Sequence, residues 1–377
     1  MVSIELVNTE NKKQVNEFVQ FQYDLYKGTP QFCPPFYTDI KLMLNRKKHP
    51  FFKHSEGDFF LARNEAGKVV GRIAILENKP FNEYHKVKKA QFYLFDVIDD
   101  QEVADKLWEK CFEWAKAHGL NEVVGPKGLS AFDGYGVLVE GFEHHQMMTM
   151  MNYNFPYYAK LLENIGFEKE VDFVSCYIRS DLFRVPEKVK EIAEIVEKRG
   201  TFKVLKFKNK REMMKNYALE LGHTYNDTFV NNWEYYPLSD DEIDLLIENL
   251  MAVVNPKMIK LITHEGKIVG FLLAFPDITE ALQRHGGRIT PLSIIDMLIS
   301  MKKTKWVSVN GAGVLPEYQG RGGNALMYAE MEKTIRDFGF EHLEMTQVAE
   351  TAVQMRKDLI NLGGQPYKNH RIFHKKI

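Results

Sequence analysis

The chain has 377 residues, more than one hydrophobic core ordinarily organises, so two domains are expected. Apolar residues at 45% and charged residues at 27% describe an ordinary globular protein and exclude a disordered or fibrous one. A formal charge of −1 gives no overall pull toward nucleic acid or membrane, and no apolar run approaches the roughly 18 residues that span a bilayer, so neither partner is expected.

The opening Met-Val-Ser-Ile-Glu-Leu-Val lacks the basic and apolar parts of a secretion signal. Cys33, Cys111 and Cys176 are scattered and odd in number, which fits reduced thiols in a cytoplasmic protein better than a disulfide framework or a metal cluster; no metal is expected.

In chain order, the first clear element is Asp58–Leu76, two β-rich runs around a turn at Gly67, a hairpin by pattern. A helix follows toward Gly119. Its Leu107, Cys111 and Ala115 are spaced by four and share one face, which makes Cys111 a core thiol rather than a nucleophile. The stretch His144–Tyr158 is rich in methionine and aromatics. Adjacent His144 and His145 cannot share a helix face and form a poor metal pair, and the methionines read as core. Pro186 opens a charged helix, Glu187–Arg199, and the boundary falls just before it, giving domains 1–183 and 184–377.

The second half repeats the first. Met258–Phe275 is again a hairpin, and its Gly-Lys-Ile-Val-Gly at 266 matches Gly-Lys-Val-Val-Gly at 67, an offset of 199. Leu359–Gly363 matches Leu162–Gly166 at an offset of 197, and two matches at nearly one offset argue for tandem copies of one architecture. Met327, Met331 and Ile335 align with Leu107, Cys111 and Ala115 at an offset of 220, the excess arising from Ile278–Lys303, which has its own helical pattern from Pro291. The order of elements in each half predicts an α/β (α+β, mixed-sheet) fold.

Between the extended run Trp306–Val314 and the helical run Ala325–Phe338 lies Pro-Glu-Tyr-Gln-Gly-Arg-Gly-Gly-Asn, residues 316 to 324. A glycine-rich turn opening a helix leaves backbone N–H groups aimed at one point, at the positive end of the helix dipole, where a phosphate binds without a metal. Gly320, Gly322 and Gly323 permit close approach, and Arg321 adds a cation. No Gly-Lys-Ser/Thr follows, so the ATP-binding P-loop is excluded, and Pro316 with Glu317 and Tyr318 spoils the dinucleotide fingerprint. At an offset of 220 this loop faces Asp99, Asp100 and Glu102 in the first half, where like charges repel an anion; only the second copy is suited to phosphate.

Val314 through Gly323 resembles the acyl-CoA pyrophosphate loop of the GNAT acetyltransferases, Gln/Arg-x-x-Gly-x-Gly/Ala preceded by Val-x-Pro-x-Tyr, with Asn324 where Gly or Ala is usual. The whole chain is similar to a group of bacterial tandem-GNAT proteins, through Leu25-Tyr26-Lys27, Pro34-Pro35, Gly136–Phe142 and the stretch from Tyr225-Asn226 to Pro237. The resemblance implies two tandem GNAT-like domains, acetyl-CoA or another acyl-CoA as co-substrate, and a small-molecule or peptide amine as acceptor. It implies cofactor binding by Val314, Leu315, Gln319, Gly320, Arg321, Gly322, Gly323 and Asn324, with main-chain groups of Val314 and Leu315 holding the pantetheine and polarising the thioester.

Direct acyl transfer to an amine then needs positioning, a base for the amine proton and a donor for the thiolate. The later helix of many GNAT enzymes supplies Asn and Tyr, but here Ala352 and Leu359 stand at those positions. Glu350 is the expected base and Tyr328 or Tyr367 the expected acid. Tyr225, Asn226, Asn232 and Trp233 are the expected acceptor pocket. Two other readings stay open: an acyl-CoA-binding or sensing protein without turnover, and an N-acyltransferase using a longer acyl or aminoacyl donor.

Overall fold

The computed structural model describes residues 1–130, 133–148, 151–230 and 232–377, without the side chains of 250–252. Thr149 and Met150 of the methionine-rich stretch fall outside the described residues.

The first half runs β1 (Ser3–Leu6), α1 (Lys12–Leu25), α2 (Tyr37–Met43), β2 (Glu56–Arg63), β3 (Val69–Glu77), α3 (Lys79–His85), β4 (Lys89–Val97), α4 (Gln101–Ala117), β5 (Glu122–Gly125), β6 (Val137–Glu140), α5 (Tyr157–Ile165) and β7 (Glu168–Arg179). The second half begins with α6 (Glu187–Arg199), β8 (Lys203–Val204), α7 (Lys210–Thr228), α8 (Asp240–Val253), β9 (Ile259–His264) and β10 (Lys267–Pro276). It continues with α9 (Thr279–His285), α10 (Pro291–Lys303), β11 (Trp306–Val314), α11 (Gly323–Phe338), β12 (His342–Ala349), α12 (Val353–Asn361) and β13 (Gln365–Lys376). The fold is mixed α/β, as the order of elements predicts.

By compactness the chain forms two units. One comprises Met1–Phe173 with Ile278–Ser300 and Lys368–Ile377, the other Val174–Asp277 with Met301–Tyr367. Compactness and the repeat are different quantities, the first a matter of contacts and the second of the duplicated order of elements.

Within the first unit the strands run β1-β2-β3-β4-β5 and then the later part of β13. Pairing is antiparallel from β1 to β4 and parallel between β4 and β5, because α4 carries the chain back before β5 begins. The second unit repeats this: β8, β9, β10 and β11 pair antiparallel, and β11 and β12 pair parallel across α11. Val103, Leu107, Trp108, Cys111 and Ala115 of α4 are buried against the first sheet, and Met327, Met331 and Ile335 of α11 against the second, the faces that their spacing predicts. Cys33, Cys111 and Cys176 are buried and outside any disulfide among the described residues, and burial pushes the Cys111 thiol well up, which removes it as a nucleophile.

One buried group of the first unit ties stability to pH. His370 on β13 is fully buried; its Nε2–H donates to Asn152 O at 3.0 Å while Nδ1 has no partner among the described residues. Burial holds this imidazole at about 4, below its ordinary 6.5. The unfolded chain therefore takes up the proton first, so the stability present above about pH 6.5 is lost as pH falls toward 4, by about 3 kcal/mol. Urea midpoints measured across this window should fall more steeply for the native chain than for His370→Gln, which keeps a donor for Asn152; equal slopes would contradict the assignment.

Candidate functional site

The two copies share a local signature where a long strand meets the helix after it. In the first, Gly71 pairs with Val97, and three residues of β3 (Arg72 to Ala74) lie opposite four of β4 (Asp96 to Tyr93), a bulge with Leu94 at φ +49°. In the second, Gly270 pairs with Val314, and Leu272 to Ala274 spans Ala312 to Val309, a bulge with Gly311 at φ +91°. The bond that closes each ladder also repeats: Ile98 N–H donates to Val70 O at 3.1 Å, and Leu315 N–H to Val269 O at 2.9 Å.

These matches revise the alignment of the loop. The strand ends correspond at 97 and 314, an offset of 217, whereas the helix caps correspond at Asp100 and Gly322, an offset of 222. The second copy therefore carries five more residues between strand and helix. The single offset of 220 sets Gln319–Gly322 against Asp99–Glu102, but the first copy has no equivalent loop; the helices hold that offset only beyond the insertion.

The helix starts differ accordingly. Asp100 caps α4, its carboxylate accepting from the N–H groups of Glu102 (2.9 Å) and Val103 (3.5 Å). Gly322 caps α11 with φ +88° and offers no side chain, so the first-turn N–H groups keep an open acceptor position. Gly320 (φ +72°) has open space where a Cβ would stand, Gln319, Arg321 and Asn324 are exposed, and the Arg321 guanidinium lies over the Tyr318 ring at 5.4 Å. Gly323 has a packing role: a Cβ there would lie 2.7 Å from Ile262 Cδ1 of β9.

The approach to this helix start is a split in the sheet. β11 and β12 pair only over Trp306–Val309 and His342–Met345, although both continue beyond. Because Leu315 N–H points to β10, alternation in the ladder turns Val314 N–H to the opposite edge, which β12 has left. Val314 O, on that edge, accepts from Gln319 Nε2 at 3.0 Å. Of the two expected main-chain donors, Leu315 is committed to the sheet and Val314 faces the opening.

The same edge in the first copy is filled. Val97 N–H donates to Tyr158 Oη at 3.1 Å, and Tyr157 Oη–H donates to Val97 O at 2.7 Å. Tyr158 Oη meets Tyr26 Oη at 2.8 Å, Tyr26 bonds Asp96 at 3.0 Å, and Arg72 Nε bonds Asp96 at 2.8 Å. Burial pushes Tyr26 and Tyr158 well up, so they stay neutral, and Tyr158 with Tyr157 takes both backbone groups of Val97 at this edge.

At the root of the split, β11 and β12 present Val307, Leu343 and Met345 to the core beside α11, and Ser308, Glu344 and Thr346 alternate with them. Ser308 pairs with Glu344 across the strands, and its hydroxyl lies 2.9 Å from that of Thr346. Glu344 is fully buried and accepts from the Tyr367 hydroxyl; burial and this carboxylate keep Tyr367 protonated. The sequence missed Glu344, because a charge alternating with apolar residues reads as a solvent face.

The other expected residues are spread out. Glu350 is half-buried in the turn after β12. Tyr328 packs on the core from α11, and burial, with Asp358 beside it, pushes it up to about 12. Ala352 precedes α12 and Leu359 is buried in the core, so neither donates a proton. Asn226 is committed to the backbone of Leu238, donating to its O at 2.9 Å and accepting from its N at 3.0 Å. Tyr225 stacks on Phe271 with its ring 6.2 Å away, Asn232 is exposed and Trp233 half-buried. A further group was not legible: Thr228, at the end of α7, packs where a Cβ on Gly313 would stand, and its buried hydroxyl has no hydrogen-bond partner among the described residues.

Both copies have the fold of the GNAT acetyltransferases, and the chain is a tandem of two. A tandem GNAT protein from the clavulanic acid biosynthesis pathway superposes on 100% of this chain and 98% of its own, with a TM-score of 0.57 at 12% identity. A GCN5-related N-acetyltransferase from Sphaerobacter thermophilus matches 100% of this chain and 95% of its own at a TM-score of 0.51 and 10% identity. In sequence, the chain is 27% identical over 374 residues to protein YghO of Escherichia coli K12, covering 97% of this chain and 94% of that protein. It is 25% identical over 384 residues to the bacterial ceramide synthase of Caulobacter vibrioides, covering 99% and 98%. No family model matches the chain. Among the described residues no helix is long and apolar enough to cross a membrane.

Proposed function

We propose that this protein is an acyl-CoA-dependent N-acyltransferase whose donor site lies at the α11 helix start and whose first copy takes no CoA. One observation carries the reading most: the same strand-to-helix junction occurs twice, and only the second has the longer loop and a helix start without a capping side chain. The N–H groups of Gly323, Asn324 and Ala325, with Arg321, suit a diphosphate. Val314 N–H suits the pantetheine chain or the thioester oxygen.

The reaction is direct transfer. The amine nitrogen attacks the thioester carbonyl, the C–N bond forms as the C–S bond breaks, and the thiolate leaves with the bonding pair. Glu344 is the proton acceptor that the geometry favours, a buried carboxylate at the root of the split, in place of Glu350. Tyr367 and Tyr328 both keep their protons at neutral pH and suit the role of thiolate donor.

Acetyl is the donor that the loop motif suggests. A longer acyl donor is favoured by the relative named a ceramide synthase, since a ceramide is the N-acylated form of a long-chain amino alcohol. Release of free thiol over time, with acetyl-CoA and longer acyl-CoAs against simple amines and a sphingoid base, separates these donors. Stabilisation by acyl-CoA without thiol release from any amine would favour the sensing reading. Glu344→Gln should lower turnover about a hundredfold with the acyl-CoA affinity unchanged. Full activity in that variant would return the role to Glu350.

A further inference from the structure

We propose that α10 is a docking helix that lies flat on the surface of an anionic lipid bilayer. The inference goes beyond the acyltransferase reading and does not depend on it.

The helix is inverted relative to an ordinary surface helix. Leu292, Ile295 and Leu298 are 73%, 55% and 53% exposed, and Ile294 and Ile299 are exposed beside them. The side facing the protein is the polar one. Ser293 is buried and exchanges hydrogen bonds with Thr290. Asp296 receives Arg284 at 2.8 and 3.0 Å and His285 at 3.0 Å, and Arg284 also reaches Ser300 at 3.1 Å. The polar contacts fix which way the helix faces, so its aliphatic side is held outward by construction. Five large aliphatic residues on one outward helical face form a patch that a soluble surface does not ordinarily leave in water.

Charge decides the occupant. Asp296 is the one acidic residue of α10, and it is turned to the protein; Lys302 and Lys303, both exposed, end the helix. The outward side therefore carries only positive charge, which matches a layer of anionic headgroups, whereas a second copy would bring another cationic face against it. Thirteen residues make a helix of about 20 Å, too short for the roughly 30 Å of a bilayer core, so the helix lies in the interface and does not cross it. The aliphatic side chains enter the acyl boundary while the lysines reach back to the headgroups.

Flotation of the full chain with vesicles of phosphatidylcholine and phosphatidylglycerol, two parts to one, tests this. The native chain should float, and Ile295→Glu with Leu298→Glu should reduce the bound fraction at least about tenfold. Both side chains are more than half exposed, so thermal midpoint and acyl-CoA-induced stabilisation should be unchanged. Lys302→Glu with Lys303→Glu should weaken binding to these vesicles and leave the weaker association with pure phosphatidylcholine unaltered. A native chain that stays with the soluble fraction would overturn the proposal, as would equal flotation of Ile295→Glu with Leu298→Glu. A concentration-dependent dimer that those substitutions abolish, without vesicle binding, would identify a second copy as the occupant instead. Loss of acyl-CoA stabilisation in every form of the chain would count against the acyltransferase reading and leave the docking result standing.

Discussion

Gly320→Glu should weaken acyl-CoA binding about thirtyfold while the fold stays intact. A carboxylate about 4 Å from a diphosphate oxygen costs about 4 kcal/mol at an effective dielectric of 20, and exposure of the loop reduces this to about 2 kcal/mol. Gly320 is the cleanest position because nothing stands within 4 Å of its Cβ site. Gly322 is less suitable: a Cβ there would lie 2.6 Å from Val196 Cγ2 of α6, so lost binding would be confounded with lost packing. The φ of +72° adds about 1 kcal/mol of backbone strain for any side chain at 320, and Gly320→Ala isolates that part. Calorimetry should give near-native affinity for Gly320→Ala and for Asp100→Lys, which alters only the first copy. Unchanged affinity in Gly320→Glu would move the diphosphate elsewhere.

Arg72→Ala should destabilise the protein by about 3–5 kcal/mol, because it leaves Asp96 charged and buried without its partner. Arg72 is fully buried, pairs with Asp96 at 2.6 Å, donates to Phe18 O at 3.0 Å and lies over the Phe18 ring at 5.1 Å. Through Asp96 it holds Tyr26, which in turn meets Tyr158, one of the two tyrosines that fill the open edge of the first copy. Replacing both partners, Arg72→Met with Asp96→Leu, should recover part of the loss, since no lone charge remains. Urea titration reads both. A single variant as stable as the native chain would show that this network does not support the first copy.

Much of the fold follows from local pattern. The turns at Gly67 (φ +74°) and Gly266 (φ +86°) each join two strands, and Pro186 precedes α6 over the residues expected of it. The glycine-rich turn that opens α11 was legible because its pattern is written in consecutive residues. What escaped depends on contacts far apart in sequence. Tyr157 and Tyr158 close on Val97 from some sixty positions away, so sequence suggests a first copy disabled by acidic residues, whereas the structure adds a missing loop and a filled edge. The five-residue difference was hidden because one offset was carried across an insertion. Asn226 reads as a pocket amide but serves as a clamp on Leu238, since only tertiary structure assigns its hydrogen bonds. For α10 the pattern gives an apolar face without saying which way it points.

Hydrogen exchange of the full chain, with and without CoA, reads which of the two helix starts holds the diphosphate. Bound CoA should slow exchange in the segment from Gly320 to Leu326, leave residues 97 to 104 unchanged, and saturate at one CoA per chain. Protection at 97 to 104, or two CoA per chain, would mean that the first copy binds CoA as well.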